Sequence, residues 1–190
     1  GLLEFSVVYT DRALNHMSDR VRTLFAEQAG RIAELRDEGS RDPGTGLFNR
    51  ACFNGELRRV LSDASVPPAG CLGMLRIVDL AALNQHLGRA RTDEWLAAVA
   101  DALQGSLVAL EDVSLARVGG AEFGVVLPGV VLDDARKIFE RALSAVATLD
   151  LQVDGANALR MNAAVVGYCH DEQPGAVLAR VDSALMRAES

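Results

Sequence analysis

The sequence predicts an α+β domain: a mainly antiparallel sheet flanked by helices, with one long helix ahead of it. Three observations carry that expectation. After residue 48 the apolar periodicity alternates between helical and strand patterns in the order α-β-α-α-β-β-α-β-α. Two apolar runs, Leu115 to Val118 and Phe123 to Leu127, flank the pair Gly119-Gly120 and read as a β-hairpin, because glycine tolerates the positive φ of a tight turn. Cys71 to Val78 is a mostly apolar run, as a buried central strand requires.

Taken in order, Asp11 to about Glu38 contains no proline and one interior glycine, Gly30. Leu14, Met17, Val21 and Leu24 alternate at spacings of 3 and 4, which makes a helix with a narrow a/d-like seam. So little apolar surface does not fold alone, so the seam predicts a partner, either a second copy of the same helix or, as the alternative, its own domain, the dimer being preferred because the helix precedes the domain. Gly39 to Gly46 (GSRDPGTG) breaks the helix. The next helix starts at Asn49 or Arg50 and carries Phe53, Leu57, Val60 and Leu61 on its apolar side. Beyond the central strand, Leu80 to Leu87 and Asp93 to Leu107 read as helices separated near Gly88. Asp79 suits an N-cap for the first of them. After the hairpin, Asp133-Asp134 is expected to cap a helix through Val146, Leu151 to Val153 to add a short strand, Leu159 to Tyr168 to form a strand, and Gly175 to Glu189 the last helix.

The totals exclude several functions. With 49% hydrophobic and 24% charged residues, the chain has an ordinary globular composition. A net charge of −7 argues against nucleic acid or an anionic membrane as a partner. Cys52, Cys71 and Cys169 lack pair spacing and read as reduced thiols, and His16, His86 and His170 are scattered without ligand spacing. No cofactor is implied. No run of about 18 apolar residues is present to span a membrane. The opening GLLEFSVVY is short and interrupted by Glu4, so it does not read as a signal peptide; its abrupt start suggests a fragment of something longer.

Four stretches carry a resemblance. Asp42 to Phe53 (DPGTGLFNRACF) is similar to D-x-L-T-G-L-x-N-R-x-x-F, and Arg117 to Phe123 (RVGGAEF) to R-x-G-G-D-E-F. Asn84 to Leu96 (NQHLGRARTDEWL) is similar to N-D-x-x-G-H-x-x-G-D-x-x-L, and Val181 to Met186 (VDSALM) to A-D-x-A-L-Y. In this order they resemble the GGDEF domain of diguanylate cyclases. The resemblance covers residues 42 to 189 and implies a palm-like nucleotidyl-cyclase sheet. Active members condense two GTP molecules into cyclic di-GMP with two metal ions, whose hard oxygen ligands come from a strand aspartate and from the third letter of the hairpin signature.

By that resemblance the strand aspartate falls on Arg76 and the hairpin carboxylate on Ala121. The second strand aspartate falls on Val78, and the lysine of the family's F-K pair on Ala81. Asp79 is one position out of register, which in a strand means the opposite face. Arg89 replaces the family's histidine, Thr92 the glycine of its G-D pair, and Glu189 the lysine of its closing A-K pair; the inhibitory R-x-x-D motif is absent from Leu110 to Val113. Losing metal-coordinating groups costs several kcal/mol, roughly 10³-fold or more in rate. The sequence therefore reads as a degenerate domain with no catalytic residues and no metal, its signature Gly119, Gly120, Ala121, Glu122 and Phe123 kept as architecture.

Asn84 and Asp93 stand where the family reads guanine. They are either vestigial guanine-binding groups or helix caps, the second being the simpler reading, with Glu122 as a solvated strand residue.

The long helix followed by a degenerate domain is similar to LapD-type receptors of the bacterial inner membrane. On that likeness residues 1–10 end an upstream HAMP-like relay, 11–40 form the signalling helix and 41–190 the degenerate GGDEF domain. The likeness implies a membrane-spanning sensor upstream and an EAL domain downstream that binds cyclic di-GMP in place of this domain. It also implies a cytoplasmic location, a homodimer through the Leu14, Met17, Val21 and Leu24 seam, and a role in biofilm adhesion. The alternative from the same residues is a GTP-sensing domain that tunes a phosphodiesterase through Asn84 and Asp93.

Overall fold

The computed structural model describes residues 20–31, 39–149 and 160–189. The chain divides into two units, Gly1–Ser40 and Arg41–Ser190. In the first, residues 20–31 are helical (α1). Val21, Leu24 and Phe25 are 47%, 58% and 68% exposed there, an apolar stripe with no cover of its own. Leu14 and Met17, the proposed relay 1–10 and the expected strand Leu151 to Val153 lie outside the described residues.

The second unit runs α2 (Arg50–Ser62), β1 (Ala69–Ile77), α3 (Leu80–Leu87), α4 (Arg89–Leu107), β2 (Ser114–Arg117), β3 (Glu122–Pro128), α5 (Leu132–Ala147), β4 (Met161–Cys169) and α6 (Pro174–Glu189). This is the order the periodicity predicts. The four strands form one sheet, β2-β3-β1-β4, antiparallel throughout.

Strand alternation sorts the core into two layers. Cys71, Leu75 and Ile77 of β1 and Phe123, Val125 and Leu127 of β3 face a layer completed by α4 and α5. Leu72 and Met74 of β1 and Val126 of β3 face the opposite layer, made by α2 and α6. Glycine thins the sheet under one ring on each side. A Cβ on Gly73 would fall inside the Phe139 ring of α5, and one on Gly124 would meet the Phe53 ring of α2.

Several local expectations change. Asp79 does occupy the N-cap position of α3, but in the left-handed region at φ 57°, and its side chain makes no cap bond. It is the β1–α3 turn that fixes its backbone. Asp133 and Asp134 are not the cap of α5: Val131 is, and the two carboxylates sit in the first turn, where they meet the positive end of the helix dipole. The helix expected from Asp93 begins four residues earlier, at Arg89. Asn49 caps α2 as a cap should, its Oδ1 accepting from the Cys52 amide.

Tyr168, the next-to-last residue of β4, is 2% exposed, and its hydroxyl has no hydrogen-bond partner among the described residues. Burial pushes its pKa up to about 12. The folded value lies above the unfolded one, so this contribution is fully present below about pH 10 and is lost as pH rises towards 12. Two units correspond to about 2–3 kcal/mol. Urea unfolding between pH 9 and 11.5 should therefore show a loss in the wild type that Tyr168→Phe lacks. At pH 7 that variant should be neutral or up to about 1 kcal/mol more stable, because it removes an unpaired buried hydroxyl.

Candidate functional site

The candidate site lies where the end of β1, the β2–β3 hairpin and the last turn of α6 meet. The hairpin loop is built by backbone hydrogen bonds. The amides of Val118 and Gly119 both donate to the Glu122 carbonyl, at 2.9 and 3.3 Å, and the Ile77 amide donates to the Ala121 carbonyl at 2.9 Å. Neither Gly119 nor Gly120 has a positive φ; the glycines that do, among the described residues, are Gly46, Gly88 and Gly129. The expected conformational reason for the Gly-Gly pair is thus wrong. A loop from Val118 to Ala121 is wider than the two-residue turn that demands left-handed residues. Gly119 is instead a point of close approach, since a Cβ there would stand 3.1 Å from Glu122 Oε2, while Gly120 faces open space.

Arg76 and Glu122 are register partners on β1 and β3, so their side chains share a face. Arg76 Nε donates to Glu122 Oε1 at 2.7 Å, and its NH2 lies 2.6 Å from the same oxygen. Arg76 NH1 donates to Glu189 Oε1 at 2.9 Å. Glu122 is therefore an ion-pair partner at 33% side-chain exposure, and the expectation of a merely solvated strand residue is corrected. Burial works against the charge on Arg76, but the hydrogen bonds to Glu122 and Glu189 more than offset it and hold its pKa above the ordinary value.

The Asp42 loop is tied to the same hairpin. Asp42 Oδ2 accepts from the Thr45 amide at 2.9 Å, the Thr45 hydroxyl at 2.7 Å and Arg117 NH1 at 3.2 Å. Arg117 NH2 donates on to the Gly120 carbonyl at 2.8 Å. Burial alone would raise the Asp42 pKa; the Thr45 and Arg117 bonds outweigh it and hold the carboxyl below its usual range. Phe48 bridges to Ala116 of β2, and its carbonyl accepts from the Arg117 amide at 2.8 Å. The loop and the hairpin tip thus form one hydrogen-bonded unit.

Asn84 and Asp93 lie apart from these charges, on α3 and α4, and both are exposed. Neither caps a helix. Asn84 sits inside α3, where its backbone carbonyl accepts from Gly88, and Asp93 sits beyond the start of α4. The simpler reading of these two residues is thereby removed. Phe123 is fully buried, and Ala121 is half-buried with its carbonyl committed to Ile77. Sequence reasoning missed the joining of Arg76, Glu122 and Glu189. The sequence signal was an arginine and a glutamate of opposite charge, at positions where the resemblance expects an aspartate and a lysine.

The chain is similar to known proteins. A model of the diguanylate cyclase GGDEF domain matches residues 40–190. Diguanylate cyclase DgcP of Pseudomonas aeruginosa is 28% identical over 181 residues, 93% of this chain but 27% of its own length. The crystal structure of diguanylate cyclase SiaD in complex with its activator SiaC, also from Pseudomonas aeruginosa, superposes with a TM-score of 0.77 at 27% identity, covering 98% of this chain and 73% of that one. The apo S helix-GGDEF-EAL structure of Vibrio cholerae LapD gives a TM-score of 0.74 at 25% identity, covering 87% of this chain and 38% of that one.

Proposed function

The chain belongs to the GGDEF domain family of diguanylate cyclases, and from that premise we propose that it is a regulatory member of cyclic di-GMP signalling that makes no cyclic di-GMP itself. One observation carries the reading: the position that the family resemblance gives to a metal-binding aspartate holds Arg76, locked between Glu122 and Glu189. Mg²⁺ prefers hard, available oxygen ligands. Here the Ala121 side chain offers none, and the Glu122 and Glu189 carboxylates are paired with a guanidinium that itself repels a cation. The donor set does not fit the metals, so no catalytic step is derived through them.

In this proposal the domain controls an EAL domain in the same chain, and cyclic di-GMP binds there. Support comes from the LapD likeness, a protein that carries both domains, of which this chain spans 38%. A membrane sensor upstream, an inner-membrane receptor exposing this domain to the cytoplasm, and an adhesion output complete the proposal on the same likeness. Among the described residues no helix is long and apolar enough to cross a membrane.

The homodimer is proposed through the seam of Leu14, Met17, Val21 and Leu24, of which Val21 and Leu24 are exposed on α1. Leu14→Glu with Val21→Glu should convert the species to monomer by light scattering, and an unchanged mass would end the proposal of a seam.

A second reading, a GTP-sensing domain, is favoured by Asn84 and Asp93 being exposed and free of capping duty. Calorimetric titration with GTP separates the two. The regulatory reading expects no heat at millimolar GTP, with or without Mg²⁺. Saturable binding that Asn84→Ala and Asp93→Ala abolish would establish the sensor in its place.

A further inference from the structure

The buried residues of α6, Val177, Val181 and Leu185, stand four apart on one stripe against the sheet. Glu189 is the next position of that stripe. On β1, Leu72 and Met74 face the same layer, and Arg76 is the next residue of that face. An apolar helix stripe and an apolar strand face therefore each end in a charge, and the charges meet at 2.9 Å. The other two guanidinium nitrogens, Nε and NH2, hold the Glu122 carboxylate, which opens β3 directly after the hairpin loop. The three groups come from distant parts of the sequence, 46 and 113 residues away from Arg76.

We infer that Arg76 is a two-sided latch, so that the hairpin tip and the last turn of α6 are fixed, or released, together. A guanidinium is planar, with donors in a rigid fork. The carboxylate on one edge orients the plane that the other edge presents. Losing Glu122 frees that plane to turn, which loosens Glu189; losing Glu189 loosens Glu122 in the same way. Such coupling is reciprocal by linkage. Glu122 also leans over Gly119, where an added Cβ would stand 3.1 Å from its Oε2, so the closed latch sets the Glu122 carboxylate against the hairpin loop. The inference deepens the proposed function: what the domain retains in place of chemistry is a joint between its signature hairpin and its last helix. Side-chain exposures of 28, 33 and 32% for Arg76, Glu122 and Glu189 mean that water and salt screen it, which keeps the coupling modest.

The test is hydrogen exchange on the whole chain with Glu122→Gln, Glu189→Gln and Arg76→Lys. Glu122→Gln does not alter α6, yet the amides of its last turn should exchange about two- to fivefold faster. Glu189→Gln should speed the Val118 and Ile77 amides, which close the hairpin loop, by a similar factor. Arg76→Lys exchanges the fork for a single ammonium and should speed both sets. Acceleration confined to the substituted side would overturn the latch. That outcome leaves the regulatory reading intact, whereas GTP turnover by the wild type would overturn the reading and leave the exchange result standing.

Discussion

With Arg76→Asp, Ala121→Asp and Glu189→Lys introduced together, GTP binding becomes magnesium-dependent. The first two substitutions place carboxylates at the positions that the family resemblance gives to metal ligands, one at the end of β1 and one at the hairpin tip. The third puts a cation at the end of α6 in place of the carboxylate that pairs with Arg76. Removing Arg76 also frees Glu122, which it neutralises at 2.6 Å. Bringing two hard-oxygen ligands to a divalent ion contributes several kcal/mol, so affinity in Mg²⁺ should exceed that in chelator by about 100-fold or more. The wild type should show no such difference. Turnover is expected to stay low, because Val78, Ala81, Arg89 and Thr92 stand where the family resemblance expects other residues. A folded triple variant whose GTP titration is identical with and without Mg²⁺ would contradict the proposal that missing carboxylates at positions 76 and 121 keep the metal out.

Gly73→Ala should cost more stability than any other single-methyl change in the sheet. Gly73 lies mid-strand on β1, between Val125 of β3 and Val165 of β4, with the Phe139 ring of α5 resting on its α-carbon. An added Cβ has no free volume, and the ring moves only by lifting a helix whose buried face includes Ile138, Ala142 and Val146. Overpacking of this kind costs about 3 kcal/mol. For a domain of this size that is about 6–12 °C in Tm. Phe139→Leu in the Gly73→Ala background should recover part of the loss, since it removes the ring that the methyl displaces. Additive destabilisation would mean that the contact does not set the sheet-to-helix distance. The prediction bears on function because this packing holds β1, and with it Arg76, in register with the hairpin.

The element order was legible because each amphipathic segment carried its own period. Val177, Val181 and Leu185 mark a helix by spacing alone, and Leu115 to Val118 with Phe123 to Leu127 mark a hairpin. Capping was less legible. Asp79 and Asp133 have the right chemistry for a cap, but neighbouring turns set their backbones, and only Asn49 of α2 combines the residue type with the geometry. The glycines misled in the opposite sense. Gly119 and Gly120 looked like a turn of positive φ, whereas Gly73 passed as one more residue of an apolar run, and it is Gly73 that the packing needs. At the site, single positions showed what was replaced. That Arg76, Glu122 and Glu189 answer one another needed the sheet register and the seating of α6, which connect residues 113 apart.

Arg76, held by Glu122 and Glu189, stands at the position that the family resemblance gives to a metal ligand, and the proposal is that no metal-bound triphosphate is turned over there. Purified chain incubated with GTP and Mg²⁺, with product followed by chromatography, tests it most directly. Cyclic di-GMP should stay at the level of the no-protein control. Accumulation of cyclic di-GMP in proportion to protein concentration would contradict it.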